Sequence, residues 1–209
     1  MKEKVNAIIE LLKQRYPDAL CALRYKKDYE LMISVRLAAQ CTDARVNMVT
    51  PALFAAYPTL EAMASADIAE VEGYIHSCGF FRQKAKDIVE ACRVLLLEHG
   101  GKVPNTMEAL LRLPGVGRKT ANLLLGDLYG EPGSVVCDTH CIRICGRLGL
   151  SQGREPEKVE KQLRAVLPPE ESNDFCHRIV LFGRDVCTAR SPKCEVCPLA
   201  LYCDEVNKA

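Results

Sequence analysis

The chain reads as an all-α protein, and three observations predict it. Apolar residues recur at helical spacing through nearly all of its 209 residues. Capping residues and short polar or glycine links separate these runs. No alternating segment is longer than Gly133 to Cys137, so there is almost nothing from which to build a sheet. With 48% apolar and 26% charged residues the chain can bury a sizeable core, which excludes a disordered polymer. Its length suits one large domain or two small ones.

The elements follow in order. Val5, Ile8, Ile9, Leu11 and Leu12 make a first helix that Pro17 stops. Leu31 to Ala39 is an apolar run, interrupted at Thr42-Asp43 before Val46, Val49, Leu53 and Phe54 resume. Arg36, inside that run, is expected to face solvent or to pair with Asp43 or Glu30. Asp67 with Glu70 reads as a capping box, and Gly73 and Gly79 as links. Lys84 to Leu97 is an amphipathic helix closed by His99-Gly100-Gly101. Asn105 with Glu108 reads as the next cap, for a helix running to Leu113. Arg118 to Tyr129 is helical and Gly130 to Gly133 a loop. Asp138 stands where a cap belongs, ahead of Ile142, Cys145 and Leu148. Pro156 to Leu167 is helical, Pro168-Pro169 breaks it, and Phe175 to Val186 leads into the last cysteines.

Net charge is only +1, so a nucleic-acid partner would have to meet positive charge focused locally. No charged-then-apolar leader precedes the first helix, and no apolar run is long enough to span a bilayer. Abundant thiols without an export signal point to a reducing cytoplasm.

Cys187, Cys194, Cys197 and Cys203 stand in the spacing Cys-x6-Cys-x2-Cys-x5-Cys. Four thiolates in so short a stretch can converge on one centre, which points to an iron–sulfur cluster, with tetrahedral zinc as the alternative. The loop from Thr188 to Lys193 is basic and brings Arg190 and Lys193 beside that centre. Most of the other eight cysteines read as small buried apolar residues. Three of them, Cys137, Cys141 and Cys145, crowd around Asp138 without a mechanistic account.

Leu113-Pro-Gly-Val-Gly-Arg-Lys119 is the second informative element. Pro114 ends one helix, while Gly115 and Gly117 leave backbone N–H groups uncovered at the start of the next. Those groups sit at a positive dipole end and can hold a single phosphate. A plain helix–turn–helix link is the other reading of the same residues.

Several motifs in order resemble the endonuclease III family of DNA glycosylases. They are Ala39-Gln-Cys-Thr-Asp43 with Val46-Asn47, Gly79-Phe-Phe-Arg-Gln-Lys-Ala85, the hairpin continued to Asn122, Asp138-Thr-His140, and the four cysteines. The resemblance covers about residues 5 to 205. It implies two helical lobes flanking a DNA-binding cleft. Residues 20–132 would form a six-helix helix-hairpin-helix lobe, and 1–19 with 133–209 a lobe holding a [4Fe-4S] cluster.

The resemblance further implies a base-excision repair enzyme. Such an enzyme removes oxidised or ring-saturated pyrimidines from damaged double-stranded DNA and then nicks the strand at the abasic site. Lys119 would be the nucleophile, because an amine can displace the base at the sugar C1′ and form a Schiff base. The helix N-terminus disfavours its ammonium, and partial burial is expected to add to this. A phosphate-binding lysine beside the hairpin is the alternative. Asp138 would cap its helix and stabilise the oxocarbenium-like sugar. Gln40 and Phe80 would enter the duplex when the base leaves the stack, Phe80 as an apolar wedge in place of the leucine common in the family, or else as a loop anchor on the core. Gly115, Gly117, Arg190 and Lys193 would contact phosphates. The protein is expected to be a monomer without membrane contact, cytoplasmic in a bacterium or archaeon and acting at the nucleoid. Competing readings are a monofunctional adenine-mismatch glycosylase and a non-catalytic DNA-binding module.

Overall fold

The structure, a computed structural model, describes residues 1–207. It holds eleven α-helices joined by short links, and no strand occurs among the described residues. The all-α reading therefore holds, and Gly133 to Cys137 is irregular.

The chain divides into two compact units. One is Ala22–Tyr129 and the other joins Met1–Cys21 to the chain from Gly130 onward. The first carries α2 (Asp28–Ala38), α3 (Asp43–Ala56), α4 (Leu60–Ala64), α5 (Ile68–Ile75), α6 (Phe81–Glu98), α7 (Met107–Leu111) and α8 (Arg118–Tyr129). These are seven helical segments against the expected six, two of them only five residues long. The second unit carries α1 (Lys2–Arg15), α9 (Thr139–Arg147), α10 (Pro156–Val166) and α11 (Ser172–Asp185), followed by short 3₁₀ turns.

Local chemistry sets the helix starts. Thr42 caps α3 by accepting from the Arg45 amide at 3.2 Å. Asp67 caps α5 through the Ala69 and Glu70 amides at 2.7 and 3.2 Å. Thr106, rather than Asn105, caps α7 by accepting from the Ala109 amide at 3.3 Å. Gly73 lies inside α5 and links nothing, because the cap at Asp67 and the buried Val71 and Ile75 carry the helix across it. Helix α6 begins three residues before Lys84, at Phe81.

In the Ala22–Tyr129 unit α6 is the central helix. It packs on α2, α4 and α5 and buries Ala85, Ile88, Val89, Cys92 and Leu95. Helix α2 is buried almost all round, which is why it reads as a continuous apolar run, and it packs against α3 and α8 as well. In the other unit, α1 buries Val5, Ile8, Ile9 and Leu12 against α11. Helix α11 lies so close on α9 that a Cβ at Gly183 would fall 2.3 Å from His140 Nδ1. His140 is thus a packing neighbour of that glycine.

Candidate active site and metal centre

The hairpin sits at the start of α8. Gly115 takes φ +74°, and a Cβ there would lie 2.5 Å from Arg36 Nε and 2.9 Å from Asp87 Cβ. Only glycine fits both the left-handed backbone and that approach. Gly117 faces open space, with no atom within 4 Å of where its Cβ would be. Leu113 and Val116 are buried and anchor the turn, while Gly117, Arg118 and Lys119 are exposed. The first amides of α8 therefore open toward solvent at a positive helix end, as an anion site needs.

Arg36 neither faces solvent nor pairs with Asp43 or Glu30. Its Nε and Nη2 donate to Asp87 Oδ2 at 2.8 and 2.5 Å. Gln83 donates to the other oxygen at 2.7 Å. Glu30 is engaged elsewhere, accepting from the Lys26 and Lys27 amides at 2.7 and 3.3 Å. Lys119 is exposed, so the partial burial expected for it is not found.

Asp138 is the N-cap of α9 and accepts from the Cys141 amide at 2.7 Å. Its side chain is half-buried, and one oxygen is fixed by the helix it starts. Lys119 belongs to the Ala22–Tyr129 unit and Asp138 to the other. The crowding of cysteines around Asp138 has a packing explanation. Cys137, Cys141, Cys145 and Cys176 are all buried. Hydrogen bonds with Cys137, Cys145 and Cys176 push the Cys141 thiol up, well above its ordinary range. The Val136 amide donates to Cys176 Sγ at 3.3 Å.

Gln40 and Phe80 are both exposed and both left-handed, at φ +54° and +58°. They are the only non-glycine residues with positive φ among those described. Phe80 is 69% exposed, so it is not an anchor on the core. The two residues lie together, since a Cβ at Gly79 would be 3.9 Å from the Gln40 carbonyl oxygen. Beneath them Lys84 is buried and donates to the Leu37 and Ala39 carbonyls at 2.8 and 2.7 Å. Burial pulls the pKa of this lysine down, against an upward push from the nearby Cys78 and Cys41 thiols.

The four C-terminal cysteines line one cavity of about 250 Å³, together with Arg147 and Lys193. Four thiols around one cavity are the donor set that an iron–sulfur cluster takes. Arg147, at the last turn of α9, organises the loop. Its Nη1 donates to Cys187 Sγ at 3.3 Å and to the Thr188 carbonyl at 3.0 Å, and its Nε pairs with Glu205 at 2.7 Å. Arg143 donates to the Cys187 carbonyl at 2.9 Å. Arg190 and Lys193 are exposed on the same loop. Arg147, Arg143, Lys84 and Asp87 escape a sequence reading because their partners are far away along the chain. Helices α6 and α9 each carry exposed positions as well, so a charge on them is no signal by itself.

Comparison with known proteins places this geometry. Residues 33–169 match the family described as HhH-GPD superfamily base excision DNA repair protein. Residues 187–203 match the iron–sulfur binding domain of endonuclease III. The chain is 46% identical over 202 residues to endonuclease III of Synechocystis sp., covering 97% of this chain and 92% of that one. It is 38% identical over 207 residues to endonuclease III of Escherichia coli (strain K12), covering 99% and 98%. A solved trapped endonuclease III–DNA covalent intermediate superposes with a TM-score of 0.92 at 39% identity, over 100% of this chain and 98% of that one.

Proposed function

The chain belongs to the endonuclease III family, and from that premise we propose how its own residues divide the chemistry. It is a base-excision DNA repair enzyme, a DNA N-glycosylase for oxidised or ring-saturated pyrimidines that is also an AP lyase. It carries a [4Fe-4S] cluster. Damaged double-stranded DNA is its partner, in keeping with relatives solved as DNA complexes.

Lys119 is the nucleophile. Its neutral amine adds at C1′ of the damaged nucleotide while the C1′–base bond breaks and the base departs with the electron pair. Ring opening leaves a Schiff base. Loss of the C2′ proton then expels the 3′ phosphate by β-elimination, and water releases the enzyme from the imine. Asp138 holds negative charge beside the developing positive charge on the sugar and accepts the proton from the lysine. The hairpin N–H groups at Gly115 and Gly117 grip one phosphate, which sets the register of the strand.

Gln40 and Phe80 occupy the gap left by the extruded nucleotide. The exposed, unanchored Phe80 ring supports this reading. Cys187, Cys194, Cys197 and Cys203 hold the cluster, which fixes the loop so that Arg190 and Lys193 meet phosphates. The two lobes correspond to residues 20–132 and to 1–19 with 133–209. Among the described residues no helix is long and apolar enough to cross a membrane. We take it to work as a monomer in the bacterial cytoplasm, at the nucleoid.

The observation that carries this reading is the exposed Lys119 one residue into a helix whose open N-terminus is preceded by the Gly115–Gly117 turn. Borohydride trapping tests it. Abasic duplex DNA should yield a covalent adduct with the wild type and none with Lys119→Ala. An adduct of equal yield with the variant would reassign the nucleophile.

A further inference from the structure

Among the described residues Lys84 is the most completely buried charged one, at 1% exposure, and the reaction does not use it. A buried ammonium without partners is costly, so its partners identify its purpose. They are the Leu37 and Ala39 carbonyls, the unpaired acceptors at the C-terminal end of α2. A cation there also meets the negative end of that helix.

The next residue along the chain is Gln40, in a left-handed conformation that costs an L-residue roughly 1–2 kcal/mol. The backbone amide of Lys84 donates to the Phe80 carbonyl at 3.1 Å. Phe80 is the other left-handed residue. One residue therefore bonds through its side chain to the peptide ahead of Gln40 and through its backbone to Phe80. The flanking residues are neighbours too: burial, and then the nearby Cys41 thiol, push the Cys78 thiol up. One helical turn along α6, Asp87 takes Arg36 of α2, so both ends of this contact are tied.

We propose that Lys84 is a positioning residue for base extrusion: it locks the Gln40 and Phe80 turns into one rigid unit that enters the duplex together. This rests on the reading that Gln40 and Phe80 fill the vacated space in the stack. Strained residues persist only where surrounding contacts over-determine them, and Lys84 supplies those contacts at both turns. Loose turns would have to be ordered at the moment of binding, so losing the tie weakens extrusion rather than sugar chemistry.

The experiment uses the cluster-loaded enzyme and a duplex with one oxidised pyrimidine and 2-aminopurine opposite it, whose fluorescence rises on unstacking. Lys84→Met keeps the length of the side chain and removes its donors; Lys84→Arg restores a cation with donors. Lys84→Met should cut kcat/KM for base release about tenfold and remove most of the fluorescence rise. Borohydride trapping on single-stranded abasic DNA, which needs no extrusion, should change less than twofold. Lys84→Arg should recover at least a third of the wild-type kcat/KM. Combining Lys84→Met with Gln40→Ala should cost no more than the larger single effect. Equal losses on duplex and single-stranded DNA, or full additivity with Gln40→Ala, would overturn the proposal.

Gln40→Ala and Phe80→Ala are the control for the underlying reading. If neither alters the fluorescence, the gap-filling assignment fails. If they alter it and Lys84→Met does not, the Lys84 role alone fails. Should Lys84→Met not fold, hydrogen exchange on the wild type decides. A single opening rate shared by residues 39–41 and 79–81 supports the rigid unit, and separate rates refute it.

Discussion

The Arg36 guanidinium grips the Asp87 carboxylate at 2.8 and 2.5 Å directly against the Cα of Gly115. This ion pair, four-fifths or more shielded from solvent on both sides, forms the floor of the hairpin. A methyl group at residue 115 would collide with it and would also sit on a left-handed backbone. Gly115→Ala should therefore cost at least about 1 kcal/mol of stability and weaken DNA binding. Thermal melting with filter binding on undamaged duplex checks this. Wild-type values for both would mean that the floor yields easily.

Lys119→Gln should abolish strand nicking while duplex binding stays within a few-fold of wild type. The residue is exposed and supports no other part of the fold, so its loss should leave the melting temperature unchanged. A gel assay on an abasic duplex, beside a binding titration, separates chemistry from affinity.

Asp138 carries two roles, and substitutions can divide them. Asp138→Asn keeps a cap acceptor for the Cys141 amide but loses the charge. Base release should slow by orders of magnitude with the helical circular dichroism intact. Asp138→Ala should lose about 1 kcal/mol more stability from the missing cap. If Asp138→Asn instead unfolds the protein, capping is the main role.

Cys197→Ser should give a colourless protein that is insoluble or melts early, because the loop from Cys187 to Cys203 then loses its tie. Iron content and the visible absorbance of the cluster are the measurements. A colourless, soluble and fully active variant would contradict a structural role for the cluster.

Asp185 joins α11 to α1, accepting from Arg15 at 2.8 Å and from the Tyr16 hydroxyl at 3.0 Å. The Arg15 guanidinium, then Tyr16, hold this carboxyl below its ordinary value of 3.8. A depressed folded-state value means the contribution is fully present above pH 3.8 and fades as pH falls through the lower folded-state value. Asp185→Asn should thus lower the urea midpoint at pH 7, and its gap to wild type should close in strong acid. Both sites are exposed, so the effect should also shrink in high salt. A gap that is constant with pH would assign the loss to packing.

Much of this protein was legible in one dimension, and the reason is range. Helix α8 was readable to the residue, because Pro114, Gly115 and Gly117 act on their own backbone. The caps at Asp67 and Asp138 were readable because a cap is a contact over two or three residues. The cysteine quartet was readable because its members lie within seventeen positions. The missed cap at Thr106 and the misplaced link at Gly73 are errors of a residue or two, where neighbouring signals compete.

What lay beyond the sequence is every contact across the fold. Arg36 reads as facing solvent or pairing with Asp43 or Glu30, whereas α6 brings Asp87 to it from 51 positions away. Lys84 looked like the polar face of an amphipathic helix, yet it is buried under the end of α2. Arg147 gave no hint of its hold on Cys187. Local backbone preference decided where each helix begins, whereas the partners of a buried charge are chosen by whichever carbonyl or carboxylate packing delivers to it. Desolvation makes that choice costly to leave unmade, so tertiary structure alone determined which charges support the site.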